Sequence, residues 1–343
     1  MKIIPCEEKV IVRHHSGGYR EYRIPGILSV GDALLLAFEA RNGEGEKNFG
    51  DWGDIDIIVL YLEEGKEPRE VLRIGESALP ADGTMRTYNN PVLIPDGNNT
   101  HLIYHKNYER VYIVTSRDGG KTWSDSREIT DGYQEFPYEW NVSATGPGHG
   151  IQMENGRLVV PVWLANGAVY EDGMRRKHAP SIAGSIYSDN HGISWHANAL
   201  VPGVINANET SVAQLSDGRL LFNFRNMNED KRRVLGLSSD GGKTFDAVWS
   251  SEDLRDPGCC SGLAACKGGV LFSNCDAEDK RINLSMKFSN NAGQSWMKVW
   301  DIDPSGGYSD IAVVDKRVYI FYERTDPDAG MISELVLKSG FLE

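Results

Sequence analysis

The residues able to do chemistry in this 343-residue chain are few in kind and scattered in position. Arg23 stands in "YRIP", Arg225 follows "LLFNF", and Arg281 lies in "CDAEDKRINLS". Glu209 sits in "NETSVAQLSDG" and Tyr308 in "GGYSD". Arginines repel one another unless an anion lies among them, and a guanidinium offers a planar fork of donors that matches a carboxylate. Three convergent arginines therefore predict a small ligand that carries a carboxylate. Taken singly, each is more readily read as a surface or salt-bridged arginine. The chemistry depends on elements that bring positions 23 and 308 to one place.

Those elements are announced by a repeat. "SRDGGKTW" (116–123), "SDNHGISW" (188–195), "SSDGGKTF" (238–245) and "SNNAGQSW" (289–296) share the frame Ser-x-Asp/Asn-x-Gly-x-Ser/Thr-aromatic, starting 72, 50 and 51 residues apart. The frame suits a β-turn: the Asp or Asn side chain accepts backbone N–H bonds, Gly takes the φ > 0 position, and the aromatic anchors the loop. A period near fifty points to blades or arrays. Around each turn runs a larger unit of strand, Asp-Gly or Asn-Gly hairpin, strand, loop, strand, turn and strand, as in "SVAQLSDGRLLFNFRN", which is a four-stranded antiparallel blade. Six such units are expected at roughly 20–75, 88–130, 148–198, 208–250, 260–300 and 308–340. The stretch from Lys2 to Val12 completes the last and closes the ring, which removes an exposed edge. The expectation is one domain over 1–343, an all-β six-bladed propeller, with a β-sandwich as the competing architecture. In a propeller the inner strands begin near the axis on one face. Arg23, Glu209 and Tyr308 fall at such starts, and Arg225 and Arg281 follow second strands.

On these segments the chain resembles the exo-α-sialidases (neuraminidases) over essentially its whole length. "YRIP" resembles their Arg-Ile-Pro motif and the four turns their Asp boxes. "NETSVAQLSDGRLLFNFRN" is similar to their Glu-and-Arg segment, "GGYSD" to their nucleophile segment, and "ATGPGHGIQ" to a stretch common in bacterial members. The resemblance implies that Arg23, Arg225 and Arg281 bind a sugar carboxylate, that Tyr308 is the nucleophile and Glu209 its base, and that Arg41 in "FEARNGEG" also binds the ring. It further implies an acid/base Asp in the following loop, where "NFGDWGDIDIIVLY" offers Asp51, Asp54 and Asp56. Asp51, deepest in the Gly-rich loop, is the choice and Asp54 the alternative; Asp56 reads as part of a strand. A tyrosine nucleophile makes sense against a sugar whose anomeric carbon bears its own carboxylate, because a second carboxylate would be repelled. Glu209 is expected to take the tyrosine's proton and the three nearby arginines to favour the phenolate. Two displacements then give retention.

One departure concerns "YNNPVLIPDG", where Asn90 stands just before the proline and many bacterial sialidases have Asp. Asn90 can still hydrogen-bond the sugar but adds no charge, which opens the substituent at C5. Trp140 and Met85 are candidates for an acylamino pocket or plain core, and His149 for an aglycone contact.

Composition bounds the rest. With 40% hydrophobic and 25% charged residues the chain can bury a core. A net charge of −13 argues against nucleic acid or an anionic membrane as partner. No apolar run reaches membrane-spanning length. "MKIIPCEEKVIV" has charges where a signal peptide needs an apolar stretch, so a cytoplasmic location is expected. The five cysteines read as free thiols, Cys259-Cys260 as a small buried pair, and neither a metal nor a cofactor is expected. The expected function is a retaining exo-α-sialidase acting on small sialoglycosides. The alternatives are the same chemistry on Kdn or Kdo glycosides, and a non-catalytic lectin-like propeller.

Overall fold

Strand Ala33–Arg41, "ALLLAFEAR", is buried at every position, whereas Arg69–Ile74 is mostly exposed or half-buried. A strand buried on both faces needs neighbouring sheets on both sides; one that is wet needs to lie at a rim. A ring of blades meets both demands. The computed structural model describes residues 1–42, 50–75, 86–170, 175–326 and 331–343, with 331–333 as backbone.

Six sheets form the ring. Blade one runs outward through Glu21–Val30, Ala33–Arg41, Ile55–Glu63 and Arg69–Ile74. Blade two is built from Tyr88–Asp96, Asn99–Lys106, Arg110–Ser116 and Arg127–Glu128. Blade four begins at Thr210–Gln214 and Leu220–Phe224, and blade five at Gly262–Cys266 and Gly269–Cys275. In blade six Ser309–Val314, Arg317–Asp326 and Met331–Leu342 are completed by Ile3–Arg13, which pairs antiparallel with Met331–Leu342. The chain's first strand thus closes the ring and no blade is left with a bare outer edge there. Innermost strands of adjacent blades pack against one another round the axis, except that on one side blade four's packs against Leu158–Ala165, the second strand of blade three.

Blade three departs from the expected 148–198. Its innermost strand is Val142–Thr145, paired with Leu158–Ala165. Gly148–His149 instead crosses to blade two and pairs in parallel with Val92 and Leu93. The reason is local: Gly146, Pro147, Gly148 and Gly150 break the strand early, and Gly148 has φ 111, a conformation that favours glycine.

The four repeat turns join third to fourth strands, so up-and-down connectivity puts them at the end of the ring where the first hairpins lie. In blade two, Lys121 N and Thr122 N donate to Asp118 Oδ1 at 3.0 and 2.9 Å, Gly120 N donates to Ser116 Oγ at 2.8 Å, and Trp123 Nε1 donates to Gly120 O at 3.2 Å. A side chain at Gly120 would come within 2.6 Å of Leu35 in blade one, so the turn also sets the spacing between blades.

Candidate active site

At the opposite end, two innermost strands are bulged where they reach the axis. In blade one the register slips between Arg23 and Gly26, and Ile24 takes φ 61. In blade two it slips between Asn89 and Val92, and Asn90 takes φ 52. A bulge frees a backbone N–H and re-aims a side chain; a β-branched residue at positive φ is strained and needs support. Both freed amides are taken by buried carboxylates. Ile24 N donates to Glu323 Oε1 at 3.1 Å, and Asn90 N donates to Glu39 Oε1 at 2.8 Å.

These bulges open a cavity of about 200 Å³. Arg23, Arg41, Arg225 and Arg281 line it together with Asp51, Asn90, Glu209 and Tyr308, so these eight residues, each expected at the site from the sequence, meet there. Tyr308 Oη donates to Glu209 Oε1 at 2.5 Å. Arg225 Nη1 donates to Glu209 Oε2 at 2.5 Å and to Tyr308 Oη at 3.0 Å. The guanidinium carbons of Arg23 and Arg281 stand 4.9 and 5.1 Å from the centre of the Tyr308 ring. Arg23 is gripped by Glu323, Nε to Oε1 at 3.0 Å and Nη2 to Oε2 at 3.2 Å. Arg41 pairs with Glu39 at 2.6 Å and with Asp51 at 3.0 Å. Arg281 donates only weakly, to Gly258 O at 3.4 Å, and among the described residues no carboxylate lies within ion-pair distance of it. Arg225 Nε is buried without a hydrogen-bond partner. Unpaired buried donors are costly, so Arg281, without a carboxylate partner among the described residues, and Arg225 Nε suit the cavity to an anion.

Titration behaviour follows. Burial, reinforced by Glu209, pushes the Tyr308 phenol well above its ordinary value against the opposing pull of Arg225, Arg281 and Arg23. The expectation that the arginines win and favour the phenolate is therefore reversed, because desolvation penalises the phenolate more than the cations reward it. Burial would also raise Asp51, but Arg41, Arg23 and His178 outweigh it and hold this carboxyl well below the usual range. Glu323 is likewise held low, burial notwithstanding, mainly by Arg23.

Other expectations fall elsewhere. Asp54 accepts from Asn42 Nδ2 at 3.1 Å and does not line the cavity; Asp56 is buried in its strand and accepts from Tyr19 Oη at 2.5 Å. His149 is turned away from the cavity and binds Asp310, with Nδ1 at 2.8 Å from Oδ1. Trp140 packs in the core beside Tyr133 and is not a pocket residue. Met85 lies outside the described residues. Cys259 and Cys260 are buried and free, as read, whereas Cys6 is exposed.

Sequence reasoning missed Glu323 and Glu39, which brace the site, and Tyr108, Trp163 and His178, which line it. The cue that found Arg225, a polar residue where a second strand ends, also applies to Glu39 in Ala33–Arg41 and Glu323 in Arg317–Asp326.

Residues 32–320 match the family model of the BNR repeat-like domain. The chain is 31% identical to the sialidase of Micromonospora viridifaciens over 89% of its own length and 50% of that protein's. It thus spans about half the length of that curated relative, and likewise of mouse sialidase-4, of which 49% is covered. Among solved structures it superposes on the Hadza microbial sialidase Hz136 with a TM-score of 0.78 at 22% identity, covering 98% of this chain and 68% of that one. Trypanosoma rangeli sialidase in complex with 2,3-difluorosialic acid, a covalent intermediate, gives a TM-score of 0.72 at 20% identity, covering 98% and 59%. These structural likenesses concern the fold.

Proposed function

The chain belongs to the BNR repeat-like domain family, and from that premise we propose that it is a retaining exo-α-sialidase, a glycoside hydrolase that releases terminal sialic acid from small sialoglycosides through a tyrosine nucleophile. The observation that carries this reading is the three-way contact of Tyr308, Glu209 and Arg225 in a cavity shared with Arg23 and Arg281. The sugar carboxylate binds among the three arginines, where Arg281 has no competing carboxylate among the described residues. The anomeric carbon then faces Tyr308. The phenol is neutral at rest, so its proton leaves as the bond to the anomeric carbon forms, and Glu209 Oε1 at 2.5 Å receives it. A neutral nucleophile avoids the repulsion that the sugar's own carboxylate would exert on a charged one.

Asp51 is the acid that protonates the departing glycosidic oxygen. Arg41 and Arg23 hold it ionised. A bound carboxylate takes up the charge of Arg23, and the sugar covers the half-exposed Asp51 side chain. Both changes raise its pKa toward the acid form. In the second displacement Asp51 takes a proton from a water that attacks the anomeric carbon as its bond to the Tyr308 oxygen breaks, Glu209 returns its proton to that oxygen, and the anomeric configuration is retained.

A second reading, the same chemistry on Kdn or Kdo glycosides, is favoured by Asn90, which brings no charge to the bulge of blade two. The test is release of an aryl chromophore from the α-glycosides of sialic acid, Kdn and Kdo, with product configuration followed by NMR. Fastest release from the sialoside, with retention, is expected. Release from Kdn or Kdo alone selects the second reading. Binding without release from any of them makes the protein a lectin-like propeller.

A further inference from the structure

Asp51 and Trp52 belong to one three-residue 3-10 turn, Gly50–Trp52, which is short and has no buried residue of its own. Something outside it has to hold the carboxylate over the cavity. Two contacts do so. One is the ion pair of Asp51 with Arg41. The other is the ring of Trp52, whose centroid lies 4.7 Å from that of Tyr108 and 5.5 Å from that of His178. His178 in turn lies 4.8 Å from Tyr108 and 5.2 Å from Trp163.

This aromatic shelf comes from other blades, and its Tyr108 and Trp163 are buried. Tyr108 belongs to the loop after the second strand of blade two. It is 3% exposed and has φ 57, directly after Asn107 with φ 56. Asn suits a left-handed position, but a tyrosine there is strained and needs support from its surroundings. Here Asn107 Oδ1 accepts Thr87 N at 3.0 Å, and Tyr108 O accepts Ser143 N at 2.7 Å. Trp163 is 4% exposed in blade three. The far side of the turn is pinned as well, since Thr87 Oγ1 donates to Gly53 O at 2.6 Å. The ion pair alone leaves Asp51 free to pivot about Arg41, because its side chain is 49% exposed; a packed ring on the adjacent residue removes that freedom.

We infer that Trp52 is the positioning residue of Asp51: its ring, seated on Tyr108 and His178, fixes the turn at which the proton is delivered. The inference rests on the reading of Asp51 as the general acid. A positioning role makes a demand that simple stabilisation does not. Loss of the ring should matter in proportion to the leaving group's need for a proton.

The experiment compares Trp52→Ala, Trp52→Leu, Trp52→Phe and Asp51→Ala, each on a sialyl-disaccharide and on an aryl sialoside. Trp52→Ala and Trp52→Leu should lower kcat/KM on the disaccharide by about 10- to 100-fold but on the aryl substrate by less than about 5-fold, because an aryl oxygen leaves with little protonation. Trp52→Phe, which keeps a ring on the shelf, should recover most of the disaccharide activity. Equal losses on both substrates from Trp52→Ala and Trp52→Leu, or no loss on either, would overturn the inference while the Asp51 assignment stands on its own variant. If Asp51→Ala shows no contrast between substrates, the reading of Asp51 as the acid falls and takes the inference with it.

Discussion

At one end of blade two, Asp118 satisfies the backbone of Lys121 and Thr122 within a single eight-residue turn. At the other end of the ring, Tyr308 reaches Glu209, 99 residues away in the chain, and Arg23 reaches Glu323, 300 residues away. The same strands run between the two ends. The difference lies in whom their polar groups serve. In the turns the recurring bonds are local, each Ser hydroxyl accepting from the glycine amide four residues on, and the motif recurs in four blades because each blade faces the same problem of spacing from its neighbour. Around the cavity no local frame recurs: blades one, four and five each bring an arginine, but each arginine has different partners, and Arg225 Nε is left without one. Repetition marks what the fold needs, and its absence marks what a ligand needs.

Removing the chemistry should leave the scaffold intact, and the sharpest way to see this is Tyr308→Phe. The phenylalanine ring keeps its place beneath Arg23 and Arg281, while the hydroxyl shared by Glu209 and Arg225 is lost. On the proposed role of Tyr308 as nucleophile, kcat should fall by at least about a thousandfold, while a planar 2,3-unsaturated sialic acid analogue still binds in calorimetry. A variant retaining near wild-type kcat would show that the cavity does not work through Tyr308.

The next largest effect separates the arginines. Arg281 has no carboxylate partner among the described residues, whereas Arg225 also holds Glu209 and Tyr308. Arg281→Ala should therefore weaken the unsaturated analogue by about 2–4 kcal/mol, the cost of a lost buried charge-assisted contact, and act mainly through KM. Arg225→Ala should cost comparable affinity and lower kcat as well. Arg281→Lys should recover only part of the loss, since a lysine cannot present the planar fork. Unchanged analogue affinity in Arg281→Ala would remove it from the anion site.

The two ends were also unequally legible. The turns could be read outright, because their hydrogen bonds join residues four apart and the whole motif lies in one window of sequence. Arg23, Glu209 and Tyr308 could be placed because a blade's first strand has to begin near the axis. What sequence could not supply was pairing across blades. Nothing in "FYERTDPD" says that Glu323 bridges Arg23 to the amide of Tyr308. Nor does "KNYER" announce that Tyr108, a bulky residue, takes a left-handed conformation beside the cavity. The glycines of "ATGPGHG" blurred blade three for a related reason. They allow the chain to leave one sheet and join the next within four residues, a step that no alternation pattern records.

The smallest effect tests the repetitive end, and the protein carries its own control. Two of the four turns use Asn where the others use Asp. Asn190 Oδ1 accepts Ser194 N at 2.9 Å and its Nδ2 donates to Ser194 Oγ at 2.9 Å; Asn291 does the same with Ser295 at 3.1 and 2.8 Å. In the Asp turn, Asp118 Oδ1 accepts the amide of Thr122 and Oδ2 accepts its hydroxyl at 2.6 Å. Asp118→Ala should thus destabilise the fold by about 1 kcal/mol, the usual worth of a side-chain cap on backbone donors, with kcat unchanged. Asp118→Asn should be close to neutral near pH 7, because Thr122 can turn its hydroxyl to accept from the amide as Ser194 and Ser295 do. The two forms differ in acid. The hydrogen bonds from Thr122 hold the Asp118 carboxyl below its ordinary value. Its contribution is therefore present above the unfolded carboxylate pKa of about 3.9 and is lost as pH falls through the lower folded value. Solvent around the exposed turn screens the charge and keeps this acid loss small. Thermal unfolding of wild type, Asp118→Ala and Asp118→Asn at pH 7 and pH 3 measures both effects. An Asn variant as weak as the Ala variant at pH 7 would mean that the turns need the charge, and that the two Asn turns are braced by something other than the shared frame.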